Sequence, residues 1–94
     1  MFNIKINDNG NIELSGRFDA SKAKMAKDVF NEINDTTKVD FQQLYYISSA
    51  GLSILLVTQK RLKNINKELL LINMNSHIRE IFKYAGFDMI FRIE

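Results

Sequence analysis

Apolar and polar residues alternate from the first positions of the chain. Phe2, Ile4 and Ile6 are separated by polar side chains, and Ile12 and Leu14 resume the same beat beyond Asp8-Asn9-Gly10. A period of two marks strands with one buried face, and Asn-Gly between two such runs is turn chemistry, so a β-hairpin is predicted. The period then changes. Ala23, Ala26, Val29, Phe30 and Ile33 recur at helical spacing, with Asp19 or Ser21 placed to cap a helix predicted to run to about Ile33. Its opposite face, with Lys22, Lys24, Lys27, Asp28 and Glu32, reads as solvated. Asn34-Asp35-Thr36-Thr37 is a loop, and a strand beginning near Lys38 follows with Val39, Phe41, Leu44, Tyr45, Tyr46 and Ile47, types that suit a pleated buried surface.

The strand runs through Ser48-Ser49 into a helix expected from about Ser49 to Asn64. Leu52, Ile54, Leu55, Leu56 and Val57 cover most of the circumference of its first half. Either neighbouring elements bury the outer residues, or some of them form an exposed apolar patch of the kind that marks a partner surface. The second half, Gln59 to Asn64, is basic, which suits the negative end of the helix dipole. Glu68 to Met74 is a continuous apolar run of strand length, expected in the middle of a sheet and covered on both faces or nearly so. Asn75 or Ser76 caps a short helix carrying Ile78, Ile81, Phe82 and Ala85, with Gly86 where a C′ residue belongs. Phe87 to Ile93 is predicted to close the chain as a last strand. The order is β-β-α-β-α-β-α-β, an α/β fold with at least partly parallel pairing and an antiparallel opening hairpin.

Ninety-four residues fit one domain, 1–94, with a single core. The chain has no cysteine and one histidine, His77, so neither a disulfide framework nor a metal site is expected. The first residues lack the apolar core of a secretory signal, and no run reaches the ~20 residues that span a bilayer; a cytoplasmic protein without membrane contact is expected. The net charge is +2, with lysines interleaved among carboxylates, which gives no support to direct nucleic-acid binding.

Catalytic constellations are absent from the pattern. Ser48-Ser49-Ala50-Gly51 is not a Gly-x-Ser-x-Gly elbow, the four glycines do not build a phosphate loop, and no motif pairs with His77. Asp19 and Asp40 could converge at neighbouring strand ends as paired carboxylates, although both also read as cap and loop residues. The serine pair itself has two readings. A hydroxyl at a helix start can accept a bond from an amide two or three residues on, or it can stand exposed where free amides and the dipole would receive a phosphate.

Ile12-Glu13-Leu14-Ser15-Gly16-Arg17-Phe18-Asp19-Ala20 resembles a strand followed by Gly-x-Leu/Phe-Asp. Asp40 through Leu52, above all Tyr46-Ile47-Ser48-Ser49-Ala50-Gly51-Leu52, resembles the signature of STAS domains, which occur in bacterial anti-sigma factor antagonists and sulfate transporters. Leu69 to Ile72 and Ile81-Phe82-Lys83-Tyr84-Ala85-Gly86-Phe87 resemble the family's later strand and closing helix, so the likeness covers nearly the whole chain. It implies a small mixed β-sheet with helices mainly on one face and a regulatory serine at the start of the second helix, by position Ser49. The preceding position is often Asp in the family; here it is Ser48, a second candidate hydroxyl.

The function implied is that of an anti-sigma factor antagonist. Unphosphorylated, it would bind an anti-sigma factor with serine kinase activity; phosphorylated by that partner, it would be released, and a serine phosphatase would reset it. Such a domain is a substrate and not an enzyme, needs no cofactor, and is expected to be a monomer or weak dimer. The expected partner surface joins the helix start to the loop after Gly16: Arg17, Asp19, Ser48, Ser49, Ala50, Leu52 and Ser53. The alternative is a scaffold or transport-associated STAS protein that binds a partner through the same helix without a phosphorylation switch. An enzyme working on a small molecule through Ser49 and Asp19 stands third.

Overall fold

The computed structural model describes residues 1–94. Strands β1 (Phe2–Ile6) and β2 (Ile12–Phe18) form the predicted antiparallel hairpin, with Ile4 opposite Leu14. Asn7 organises the turn: its side-chain oxygen accepts from the Asn9 and Asn11 amides at 2.9 and 3.1 Å, and its carbonyl from Gly10 at 2.9 Å. After β2 come a short 3₁₀ turn (Ala20–Lys22), α1 (Ala23–Phe30), β3 (Thr37–Ile47), α2 (Ser49–Lys63), β4 (Leu69–Ile72), α3 (Ser76–Tyr84), a 3₁₀ turn (Phe87–Met89) and β5 (Arg92–Ile93). The sheet order is β1-β2-β3-β4-β5, parallel except for the opening hairpin. This is the mixed α/β sheet expected.

One cluster of 20 buried side chains joins the inner face of the sheet to the helices, with Phe18, Phe30, Phe41, Leu55, Leu62, Leu71, Ile78 and Phe82 at or near zero exposure. The other sheet face carries Asn3, Lys5, Glu13, Asp40 and Gln42 and is polar. No helix is long and apolar enough to cross a membrane.

Strand β3 departs from simple alternation, because its buried residues are Thr37, Val39, Phe41, Leu44 and Ile47. Its register against β2 explains the spacing. While β2 advances from Glu13 to Ser15, β3 advances from Asp40 to Gln43; where β2 moves from Gly16 to Arg17, β3 moves from Leu44 to Tyr46. Each slip is a bulge that absorbs one residue and lets the apolar set stay on the helix side. Side chains from the β4–α3 loop satisfy the disturbed strand: Asn73 donates to Asp40 Oδ1 at 3.1 Å and Asn75 to the Leu44 carbonyl at 3.3 Å.

Three expectations are corrected. The first helix ends at Phe30 and not near Ile33. Arg61 of α2 takes the Phe30 carbonyl at 3.0 Å, and Glu32 and Ile33 bond back three residues, so the chain tightens while Ile33 remains buried. The segment Phe87 to Ile93 is not one strand. Two rings four apart on a strand would stand ~13 Å apart, whereas Phe87 and Phe91 have centroids 5.8 Å apart and both pack on Phe82. The 3₁₀ turn after Gly86, which has φ +75° as a C′ residue should, brings them there. Finally, β4 lies inside the sheet between β3 and β5 as expected, but its second face is covered only in part: Leu69 and Leu71 are buried, Leu70 and Ile72 half-buried.

The crowded first half of α2 divides between its two expected fates. Leu55 is buried, Leu52 and Ile54 pack partly on the core, and Val57 remains 63% exposed. Gln59, 1% exposed, donates to the Ile90 carbonyl at 3.1 Å and accepts from the Leu69 amide at 2.8 Å. Strand β5 first pairs at Leu70, one residue too late for Leu69, so Gln59 replaces the missing strand bond.

Candidate partner-binding site

The site residues come together where β2 and β3 end. Phe18 and Ile47 are the last paired residues, and the Ser48 amide extends the ladder by donating to the Phe18 carbonyl at 2.9 Å. That bond fixes where the helix starts. Ser48, still extended at φ −89° and ψ 171°, becomes the N-cap of α2, its hydroxyl accepting from the Gly51 amide at 3.3 Å and its carbonyl from Leu52 at 3.0 Å. Ser49 is the first helical residue, exposed and outside the cap. The capping and exposed roles weighed for the serine pair are thus divided between its two members.

Gly51 lets the helix head sit this close to the sheet. A Cβ there would lie 2.9 Å from Ile47 Cγ1 and 3.1 Å from Phe18 Cγ, so any side chain would push α2 outward. Gly16 has a different reason. Its φ is +82°, and a Cβ would fall 1.6 Å from the Met1 carbonyl oxygen, which accepts from the Arg17 amide.

Across the corner, Arg17 is exposed and pairs in register with Tyr46; its guanidinium carbon stands 4.1 Å from the centre of the tyrosine ring. This cation–π contact holds a long charged side chain in place. Asp19 starts the 3₁₀ turn, its Oδ1 accepting from the Ser21 hydroxyl at 2.6 Å and the Ser21 amide at 3.1 Å. The Ser21 hydroxyl is the main cause holding the Asp19 carboxyl below its ordinary pKa; partial desolvation opposes it, and the Ser21 amide and the positive charges of Arg17 and Lys22 add to it.

Of the predicted surface, Arg17, Asp19, Ser49 and Ser53 are open to solvent wholly or in part. Ser48 and Ala50 are half-buried, and Leu52 turns partly into the core. Asp40 lies elsewhere. It pairs with Glu13, six residues before Asp19 along β2 and therefore roughly 20 Å away, and its carboxylate accepts from Gln42 and Asn73. The two aspartates do not form a carboxylate pair. Tyr46 was not singled out as a site residue from sequence; the available signal was that it and Arg17 each stand one residue before the end of neighbouring strands.

Residues 3–92 match the family model described as Mlab, STAS domain. A segment of 55 residues, 58% of the chain, is 42% identical to BtrV of Bordetella bronchiseptica, named as a candidate anti-sigma factor antagonist. The match covers 47% of BtrV, about half its length. Among solved structures, an anti-sigma factor antagonist from Mycobacterium paratuberculosis superposes with a TM-score of 0.82 at 17% identity, over 99% of this chain and 83% of that one. The anti-sigma factor antagonist SpoIIAA in its unphosphorylated form gives 0.77 at 15% identity over 100% and 88%. The phosphorylated form of SpoIIAA, the Bacillus cell fate determinant, gives 0.71 at 15% over 100% and 91%. At such identities the structural likeness speaks to the fold, and the family model, reaching across nearly every residue, speaks to descent: the chain belongs to the STAS domain family.

Proposed function

We propose that this STAS domain is an anti-sigma factor antagonist switched at Ser49. With Ser49 unmodified it binds an anti-sigma factor of the serine-kinase type, which frees the sigma factor; phosphorylation of Ser49 by that partner parts the complex, and a serine phosphatase restores it. The observation that carries this reading is the division between the two serines: the Ser48 hydroxyl is committed to Gly51, while Ser49 stands exposed on the first turn. A phosphate adds about −1.5 to −2 charges. At a helix head the dipole and free amides accept them, so the fold is little disturbed. A partner surface shaped for a neutral hydroxyl meets a dianion instead. The naming of BtrV supports the reading, as does the likeness to SpoIIAA, whose structure exists with and without phosphate. In this role the domain is the substrate of chemistry done by its partner.

The test incubates the protein with each anti-sigma factor of the serine-kinase type from the source genome, with ATP. One phosphate is expected, mapping to Ser49 by mass spectrometry. Ser49→Asp should fold normally and bind that kinase much more weakly, while Ser49→Ala binds and cannot be switched. Equal affinity of Ser49→Asp and the parent protein removes Ser49 from the mechanism. Binding without phosphate incorporation points to the scaffold alternative.

A further inference from the structure

The helix that begins at Ser49 borders a cleft some distance from the serine itself. Helices α1 and α2 lie side by side, and Lys27 and Asn31 of α1 face Ser53, Ile54, Val57 and Thr58 of α2 across a depression of about 150 Å³. Its buried residues offer no free hydrogen-bonding group. Ile54 packs against the core, and Thr58, 3% exposed, donates its hydroxyl to the Ile54 carbonyl of its own helix at 2.8 Å. The wall is apolar and open, with Val57 63% exposed.

The rim carries an uncompensated charge. Lys24, one turn before Lys27, has its ammonium 3.3 Å from Asp28, whereas Lys27 is exposed and takes part in no ion pair. Helix α2 cannot supply a counter-ion, because no Asp or Glu occurs from Ser49 to Lys63. An open slot with a mainly apolar surface, beside a lone cation, is complementary to an apolar side chain with a carboxylate one turn away, the pattern of an amphipathic helix with an acidic margin. Ser49, Ser53 and Val57 follow at four-residue intervals on one stripe. At 1.5 Å per residue, the cleft lies ~10 Å from the serine.

We infer that the partner engaging Ser49 also lays an acidic, apolar-faced helix in the α1–α2 cleft, with an apolar side chain on Ile54 and Val57 and a carboxylate against Lys27. This rests on the switched-antagonist reading and adds a second element to it. The serine decides whether the complex holds, and the cleft decides which partner is chosen, since an exposed cation facing the wrong sign repels it.

The test uses the intact chain and the kinase that phosphorylates Ser49 in the assay above. Lys27→Glu and Val57→Asp alter exposed positions, and Lys83→Glu on α3 serves as the control; circular dichroism checks each fold. Lys27→Glu and Val57→Asp should each weaken binding at least tenfold, with Lys83→Glu within twofold. The phosphorylation rate at saturating partner should stay unchanged, because the cleft binds and does not react. Lys27→Gln should flatten the salt dependence of affinity. If Lys27→Glu and Val57→Asp both remain within twofold of the parent, the cleft assignment is wrong, while weakening by Ser49→Asp in the same titrations keeps the switch. Loss of self-association in Val57→Asp with partner affinity intact would give the cleft to a second copy and also overturns the assignment. If no such kinase labels Ser49, the switch reading falls and the inference with it.

Discussion

Gln59→Leu removes the side chain that hydrogen-bonds α2 to both β4 and the approach to β5. The Gln59 oxygen accepts from the buried Leu69 amide at 2.8 Å, and the peptide geometry of β4 points that amide away from β3, where β5 is too short to meet it. Leucine leaves this amide without a partner, at a cost of about 1–3 kcal/mol. The second bond, to Ile90, contributes less, because Ile90 is 40% exposed and water can replace the donor; ~0.5–1.5 kcal/mol is the ordinary net value. The apolar leucine offsets part of this, so a net loss of about 2–3 kcal/mol is expected. For a domain of this size that corresponds to a fall in Tm of roughly 10–20 °C. Urea unfolding followed by circular dichroism should show a lower midpoint with the slope unchanged, which separates lost stability from a changed unfolded state. Amide exchange should quicken first at Leu69. A loss under about 0.5 kcal/mol, within the range of ordinary surface substitutions, would refute the argument that Gln59 substitutes for a strand.

Ser48→Ala should cost about 0.5–2 kcal/mol through the lost cap while phosphate still maps to Ser49; phosphate chiefly on Ser48 would put the helix start in the wrong register. Gly51→Ala gains up to ~1 kcal/mol of helix propensity but forces a Cβ to 2.9 Å from Ile47, typically ~1–3 kcal/mol of overpacking; a net loss in denaturant melts and a displaced Ser49 amide resonance are expected, and a stabilised protein would contradict the packing. Asp19 has a folded-state pKa below its unfolded value, so its contribution is present above about pH 3.9, the unfolded value, and disappears as acid carries the pH through the lower folded value. A carboxyl-carbon NMR titration should place that midpoint below 3.9, the reference for a free aspartate, and Ser21→Ala should raise it. Charge reversal at Arg17 or Asp19 should impair partner binding, whereas reversal at Lys5 or Lys83 should not; amide shifts confined to residues outside 17–20 and 48–57 would move the interface elsewhere.

The hairpin, the three helices and the order of elements were legible because each buries one face, and burial imposes a period on the sequence. What stayed open, or differed in the structure, has a different origin. Whether Ser48 or Ser49 caps α2 depends on the Phe18 carbonyl, which takes the Ser48 amide as the last rung of the ladder, and that bond is between strands. The end of α1 is decided by Arg61, 31 residues along from Phe30. Phe87 and Phe91 suit a strand as well as a turn in sequence, and only their shared contact with Phe82 and with each other shows that the chain must wind. Gln59 belongs in sequence to the basic second half of α2, with Lys60, Arg61 and Lys63, and nothing local marks it as buried. Of the candidate surface, the serines and the Gly16-Arg17-Phe18-Asp19 segment could be read, because turn and cap chemistry is local. The seat of Arg17 on Tyr46 could not, because the bulges of β3 set which tyrosine meets it.

The tyrosine under Arg17 also gives the molecule an optical property. The chain contains three tyrosines and no tryptophan, so with excitation above the phenylalanine band its near-ultraviolet emission is tyrosine emission. Tyr45 and Tyr46 are neighbours at the end of β3, and Tyr84, 90% exposed, stands apart on α3. With Tyr84→Phe, every emitting ring would lie at the corner where the helix head meets the sheet. Quenching by an approaching partner, or a change when Ser49 gains a phosphate, could then be watched in the unlabelled protein in real time.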